Sequence, residues 1–231
     1  MPHSSKRRVI VAIDGPAGAG KSTIARRVAE RLGFLYIDTG AMYRAVALWA
    51  LWEGIDPGDR LRMEPLAVAA EIELSPGHIR LNGEDVSEAI REPAVSDGAS
   101  KVAVISGVRR AMVAKQRECA ERASVVMEGR DIGTVVFPNA EVKIYLDANP
   151  AERARRRLKD LRAQGETTIT EAELAAQIEE RDRRDSTRAD SPLAQAPDAA
   201  YLDSTALTPA EVEEAILSLV RKRVTNGKEL H

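Results

Sequence analysis

The segment GPAGAGKST, residues 15–23, follows the apolar run VIVAI (9–13) and precedes the amphipathic stretch IARRVAERLG (24–33). Gly15, Gly20, Lys21 and Ser22 fit the spacing G-x-x-x-x-G-K-[ST] of a phosphate-binding loop set between a strand and a helix. The dinucleotide fingerprint G-x-G-x-x-G does not fit, because Ala17 stands where its second glycine belongs. Glycines here let the backbone take positive φ and turn successive N–H groups onto phosphate oxygens. The helix that follows adds the partial positive charge of its N-terminus. Lys21 is expected to reach the β- and γ-phosphates as a point charge, and the Ser22 hydroxyl to ligate Mg²⁺. Gly15, Pro16, Ala17, Gly18, Ala19, Gly20, Lys21, Ser22 and Thr23 are thus the candidate nucleotide-phosphate site.

Around this loop the chain alternates. Strand-like runs at FLYI (34–37), SVVM (124–127), VKIYL (142–146) and AAYL (199–202) are separated by helical patterns, the first of them Ile24, Val28 and Leu32 closed by Gly33. Such alternation predicts an α/β fold with a parallel sheet flanked by helices. Helix starts are signalled by Asn149-Pro150-x-Glu152, Thr170-x-x-Glu173 and Thr208-Pro209-x-Glu211, each with a capping residue three positions before a glutamate. Between about 54 and 100 the rhythm breaks: IELSPGHIRLNGEDVS carries short alternating runs punctuated by Pro76-Gly77 and Asn82-Gly83. That pattern predicts an inserted antiparallel hairpin.

Composition narrows the class. The 231 residues suffice for one α/β domain with appended subdomains. A net charge of −2 gives no global case for nucleic acid or an anionic membrane, so phosphates must be held by local clusters. Cys119 is the single cysteine, which rules out an intramolecular disulfide. The apolar stretch AVALWALW (45–52) is far too short to span a bilayer, and the basic start (Lys6, Arg7, Arg8) lacks a signal-peptide pattern. A soluble, cytoplasmic protein without nucleic-acid or membrane partners is expected.

A phosphate loop alone leaves motors, switches and small-molecule kinases open. Three further clusters bear on the choice. DTGAMYR (38–44) places Tyr43 and Arg44 at the start of a helix on the carboxyl edge of the sheet, where open α/β folds bind ligands. EGRDIGT (128–134) sets Glu128 at a strand end near the metal position, followed by Arg130 and Asp131. Gly129 and Gly133 bracket that pair, which predicts unusual backbone geometry. Farther on, Arg153, Arg156 and Arg157 share one helix face, and Arg181, Asp185 and Arg188 share another at i, i+4 and i+7. With RAQGETTIT between them, these two helices are expected to form a lid over phosphates, Arg153 and Arg157 facing the nucleotide.

Taken in order, IDGPAGAGKST, DTGAMYR, EGRDIGTVVFP, VKIYLDA and ERDRRDSTRADSPL resemble the bacterial cytidylate kinases over nearly the whole chain. The resemblance implies a single P-loop NTPase kinase domain over 1–231, with its core at 9–38, 101–150 and 195–225. A nucleoside monophosphate subdomain with the inserted sheet would cover 39–100, and the lid 151–190. It further implies ATP as phosphoryl donor with Mg²⁺, CMP and dCMP as acceptors, and a monomer. Arg44, Arg130 and Arg188 would gather around the CMP phosphate, while Ser100, Arg109 and Asp131 read the base. Arg181 and Asp185 would meet the sugar, with Thr39 and Tyr43 lining the same pocket. Lys21, Arg130 and Arg188 would be the catalytic cations. A general base is not required, since the acceptor is already an oxyanion.

Overall fold

In the computed structural model, residues 8–75, 77–121, 123–163, 165 and 168–225 are described. Lys6, Arg7, Pro76, part of the polar turn after 163 and residues 226–231 lie outside them. Five parallel strands form the central sheet in the order β2–β6–β1–β7–β8: β1 Ile10–Asp14, β2 Leu35–Asp38, β6 Val125–Gly129, β7 Val142–Asp147 and β8 Ala200–Asp203. The residues of β1 and β6 are apolar almost throughout and buried, as expected for parallel strands covered on both faces. One face packs on α1 (Lys21–Leu32) and α8 (Pro209–Thr225) through Ile24, Val28, Val212, Ile216 and Val220. On the other, Ala12, Ile37, Val125 and Met127 meet Ile132 and Val136.

Register decides what reaches the sheet's carboxyl edge. Asp14 pairs with Gly129 and Asp38 with Glu128, so Asp38 and Glu128 end level with one another and Asp14 stands one residue farther along, all at the carboxyl edge of the sheet. Gly15 (φ 149°), Gly18 (φ 78°) and Gly20 (φ 88°) take the positive φ expected of that loop, and Gly33 (φ 66°) closes α1. A Cβ on Gly15 would overlap the carbonyl oxygen of Leu146 in the neighbouring strand. Gly15→Ala is therefore expected to cost about 3 kcal/mol or more. A thermal melt would show this as a drop of roughly 6–12 °C.

The insertion is a separate apolar body. It comprises α2 (Thr39–Trp52), α3 (Arg60–Ala69), a three-stranded antiparallel sheet of β3 (Ile72–Ser75), β4 (His78–Leu81) and β5 (Glu84–Asp85), and α4 (Pro93–Val102). The predicted hairpin is thus present with a third strand added, and Asn82 (φ 51°) with Gly83 (φ 84°) makes the tight turn. AVALWALW, apolar all round, lies within α2 with Ala45, Val46, Ala47, Leu48 and Ala50 buried. Val108 and Met112 of α5 (Ser106–Cys119) pack into the same cluster, so apolar contact runs unbroken across the boundary expected at 100. Among the described residues, no helix is long and apolar enough to cross a membrane.

Two further helices, α6 (Pro150–Ala163) and α7 (Glu171–Thr187), pair through Ala154, Leu158, Leu174 and Ile178 and close this small cluster on Ala17 of the phosphate loop. Their predicted starts hold: Asn149 Oδ1 accepts from the Glu152 N–H at 2.8 Å, and Thr170 with Glu173 forms a capping box.

Candidate active site

The phosphate loop is pinned from both sides. Lys21 is buried, and its Nζ donates to the Pro16 carbonyl at 2.6 Å. Burial first, then the neighbouring Arg130, pull its ammonium down to about 7. At the end of β6, Glu128 is buried with its pKa raised, by desolvation first and then by Asp38. Tyr36 donates to its Oε1 at 2.6 Å, and the exposed Ser22 hydroxyl lies beside the same carboxylate. This hard oxygen pair fits a Mg²⁺ that takes most of its ligands from nucleotide and water. Among the described residues, no group of three or more His, Cys, Asp or Glu could hold a metal ion.

Arg153 departs from expectation. Instead of facing the nucleotide, its guanidinium is spent on protein: Nη1 on the Ala17 carbonyl at 2.9 Å and on Asp182, Nε on the Ala148 carbonyl at 3.0 Å. Asp182 in turn accepts from the Ala17 N–H at 3.0 Å. Arg153 and Asp182 therefore clamp the loop from behind, and the spacing of charges on α7 had no way to mark Asp182 for this. Arg156 is likewise engaged, on Ser204 and Glu152, whereas Arg157 is half-buried near Arg44 with burial lowering its pKa.

The unusual backbone expected around Gly129 and Gly133 is present as a π-helical turn, Ile132–Val136, though not through these glycines' own φ. Neither takes a positive φ; what they supply is room. A Cβ on Gly129 would sit 2.6 Å from Ile132 Cδ1, and one on Gly133 3.3 Å from Asp14 Oδ2. That room lets Asp14 accept from both the Ile132 and Gly133 N–H groups, at 2.8 and 2.7 Å, fixing the turn that aims Arg130 and Asp131. Burial raises Asp14 to about 6, against those two donors.

Opposite the loop, the substrate-site candidates converge on one interior chain of alternating charge. Arg109 pairs with Asp131, Asp131 with Arg188 at 3.6 Å, Arg188 with Asp185 at 3.8 Å, and Asp185 with Arg130 Nε at 2.9 Å. Arg188 is not on α7 itself but caps its C-terminus, its Nε donating to the Ser191 carbonyl at 2.6 Å. Desolvation would raise Asp185, yet Arg130, Arg181 and Arg188 outweigh it and hold the carboxylate below its usual range. Arg181 is drawn down to about 10 by burial and by Arg130, with Arg44 and Arg157 also near. Arg44 pairs with Asp38 at 2.9 Å. Thr39 donates to the Glu128 carbonyl at 2.7 Å, and the half-buried Tyr43 ring faces the Arg109 guanidinium at 5.8 Å.

Two features mark this chain of charge as a place for a ligand. Arg44, Arg109, Arg130, Arg181 and Arg188, with Arg157 near Arg44 and Arg181, outnumber Asp38, Asp131 and Asp185, an excess of positive charge. Moreover, Tyr43 Oη, Arg44 Nε, Arg109 Nε, Arg181 Nε and Arg188 Nη2 are buried without a hydrogen bond. Buried polar atoms of folded proteins are normally paired, so this concentration within one site calls for a polar partner. Arg184 Nε belongs to the same unpaired set, and Arg184 Nη1 donates to Ser100 Oγ at 3.1 Å. Its lone position among charged neighbours on α7 gave no signal of that contact.

The family model for cytidylate kinase matches residues 11–222. The chain belongs to the cytidylate kinase family. It is 70% identical over 230 residues to the cytidylate kinase of Solibacter usitatus, covering 99% of both chains. It is also 52% identical over 223 residues to a bifunctional pantoate ligase/cytidylate kinase of Prochlorococcus marinus, covering 94% of this chain and 44% of that one. The chain thus spans less than half the length of such two-part relatives. Among solved structures, an uncharacterized protein from Eubacterium ventriosum shares the fold at a TM-score of 0.51 and 9% identity, over 91% of this chain and 97% of that one.

Proposed function

We propose that this cytidylate kinase transfers the γ-phosphoryl group of ATP to CMP, and also to dCMP, giving ADP and the nucleoside diphosphate. The observation that carries the reading is the excess of positive charge opposite the phosphate loop, which suits the dianionic phosphate of a nucleoside monophosphate. Two anions must be held within reach for in-line transfer, so catalysis here is positioning and charge compensation. Arg44, Arg130 and Arg188 hold the acceptor phosphate, and Lys21 stabilises charge on the transferring group. Arg157 and the clamped loop close the donor side. Ser22, with Glu128 through water, would hold Mg²⁺, which supplies charge neutralisation on the β- and γ-phosphates. Arg181 and Asp185 face the sugar. The protein acts as a monomer.

On the base side, Asp131 is fixed by Arg109 and Arg188, and its carboxylate accepts from the exocyclic amine of cytosine. Uracil offers an acceptor at that position. Asp131→Asn is accordingly expected to lower the preference for CMP over UMP by roughly 10-fold, the worth of one hydrogen bond to a charged group. Steady-state kinetics with both acceptors would check it, and equal losses for the two would make Asp131 a purely structural partner of the arginines. The overall reading is tested by ADP release: little with ATP alone, rapid once CMP is added. Hydrolysis of ATP at an undiminished rate without any acceptor would instead favour a nucleotide switch.

A further inference from the structure

We infer that Arg184 is a positioning residue for base selection: it fixes the Ser100 hydroxyl as a donor toward the base. The inference rests on the proposed function and on the base-reading role that the family resemblance implies for Ser100. Ser100 is buried on α4 in the inserted body, and Arg184 reaches it from α7 across the cleft, Nη1 to Oγ at 3.1 Å. Arg184 Nε is buried without a hydrogen bond and lies 3.4 Å from Glu180 Oε1, so the guanidinium is steered by one carboxylate while its far end is committed to the serine.

The chemistry of that contact is one-sided. A guanidinium has only donors, so Ser100 must accept from it. With a lone pair engaged by a cation, the hydroxyl proton is turned away from Arg184 and made a stronger donor. Cytosine presents an acceptor at ring N3 beside its N4 amine; uracil presents an N–H there beside an O4 acceptor. A Ser100 whose proton is free to donate, and whose remaining lone pair is weakened as an acceptor by the cation, together with an Asp131 that can only accept, favours cytosine over uracil at both positions. Released from Arg184, the Ser100 rotor can turn and accept from the uracil N–H, and half of the discrimination goes.

A double-mutant cycle tests this. Arg184→Met, Ser100→Ala and the double variant are compared by kcat/KM for CMP and for UMP, with melting temperatures alongside. Arg184→Met is expected to lower the CMP-to-UMP ratio about 10-fold, mainly through KM for CMP. Ser100→Ala should lower it similarly, and the double variant no further than the worse single, because both changes remove one device. Arg184→Lys, which keeps charge and donors without an acceptor, should restore a large part of the ratio. Losses that multiply in the double variant overturn the inference, as does a parallel fall for CMP and UMP tracking a lowered melting temperature. A wild-type ratio in Ser100→Ala overturns the base-reading role of Ser100 itself, and the inference with it. Should Arg184→Met not fold, Arg184→Gln changes shape less while admitting an acceptor oxygen; a wild-type ratio there is equally decisive against it.

Discussion

Replacing Lys21 by methionine is expected to lower kcat by about 100-fold or more, the loss found when a preorganised donor to a developing charge is removed. Methionine keeps most of the apolar stem, so the buried volume under the phosphate loop is nearly conserved. The same substitution is expected to stabilise the nucleotide-free protein. In the fold the Lys21 ammonium titrates near 7, below its ordinary 10.5, first because it is buried and then because Arg130 is near. A group whose folded pKa is depressed in this way penalises the fold most below the folded value, and the penalty fades as pH rises toward the unfolded one. Melting curves of wild type and Lys21→Met should therefore differ most at pH 7 and converge toward pH 9, with the variant the more stable. A turnover near wild type, or a stability gap that widens with pH, would contradict this account. The lysine is thus a stored electrostatic cost that phosphate binding relieves, and nucleotide binding above pH 7 should take up protons.

The next largest effect is expected at Arg130. Its Nε holds Asp185 at 2.9 Å, and that carboxylate has 9% of its side chain exposed. Arg130→Met removes one cation from the acceptor pocket and leaves Asp185 without its strongest partner. Together these losses should lower kcat/KM for CMP by about 10³-fold, since breaking a buried pair and losing a transition-state donor each cost several kcal/mol. KM for ATP should change by less than about threefold, because the donor phosphates are held by the loop backbone. Kinetics with each substrate varied in turn would separate the two sides. A comparable rise in KM for ATP would move Arg130 from the acceptor pocket to the donor site.

The contrast between Lys21 and Arg130 also describes how much could be read from the chain itself. The phosphate loop, the strand order of events along the chain, the helix caps and the inserted sheet were legible because each depends on neighbours in sequence. A positive φ needs glycine, a cap needs a hydroxyl or amide three residues before its partner, and a buried strand needs an unbroken apolar run. Tyr43, Arg44, Arg130 and Asp131 stood out for the same reason: they follow strands, and strand ends share one edge of a parallel sheet.

What the linear order left open is which charge meets which. Arg153 and Arg157 lie one turn apart on α6, yet Arg153 is bound to the Ala17 and Ala148 carbonyls and to Asp182, while Arg157 lies nearer Arg44. Asp131 and Arg130 are adjacent but serve different partners, Arg109 and Asp185. Gly129 and Gly133 signalled a constraint whose nature was steric room rather than backbone freedom, visible only once Ile132 and Asp14 are packed against them. Arg184 gave no signal, because Ser100 comes to it from a helix 84 positions away. Helical periodicity tells which residues share a face; it carries no information about the face opposite, and ion pairing in a buried site is set by that opposite face.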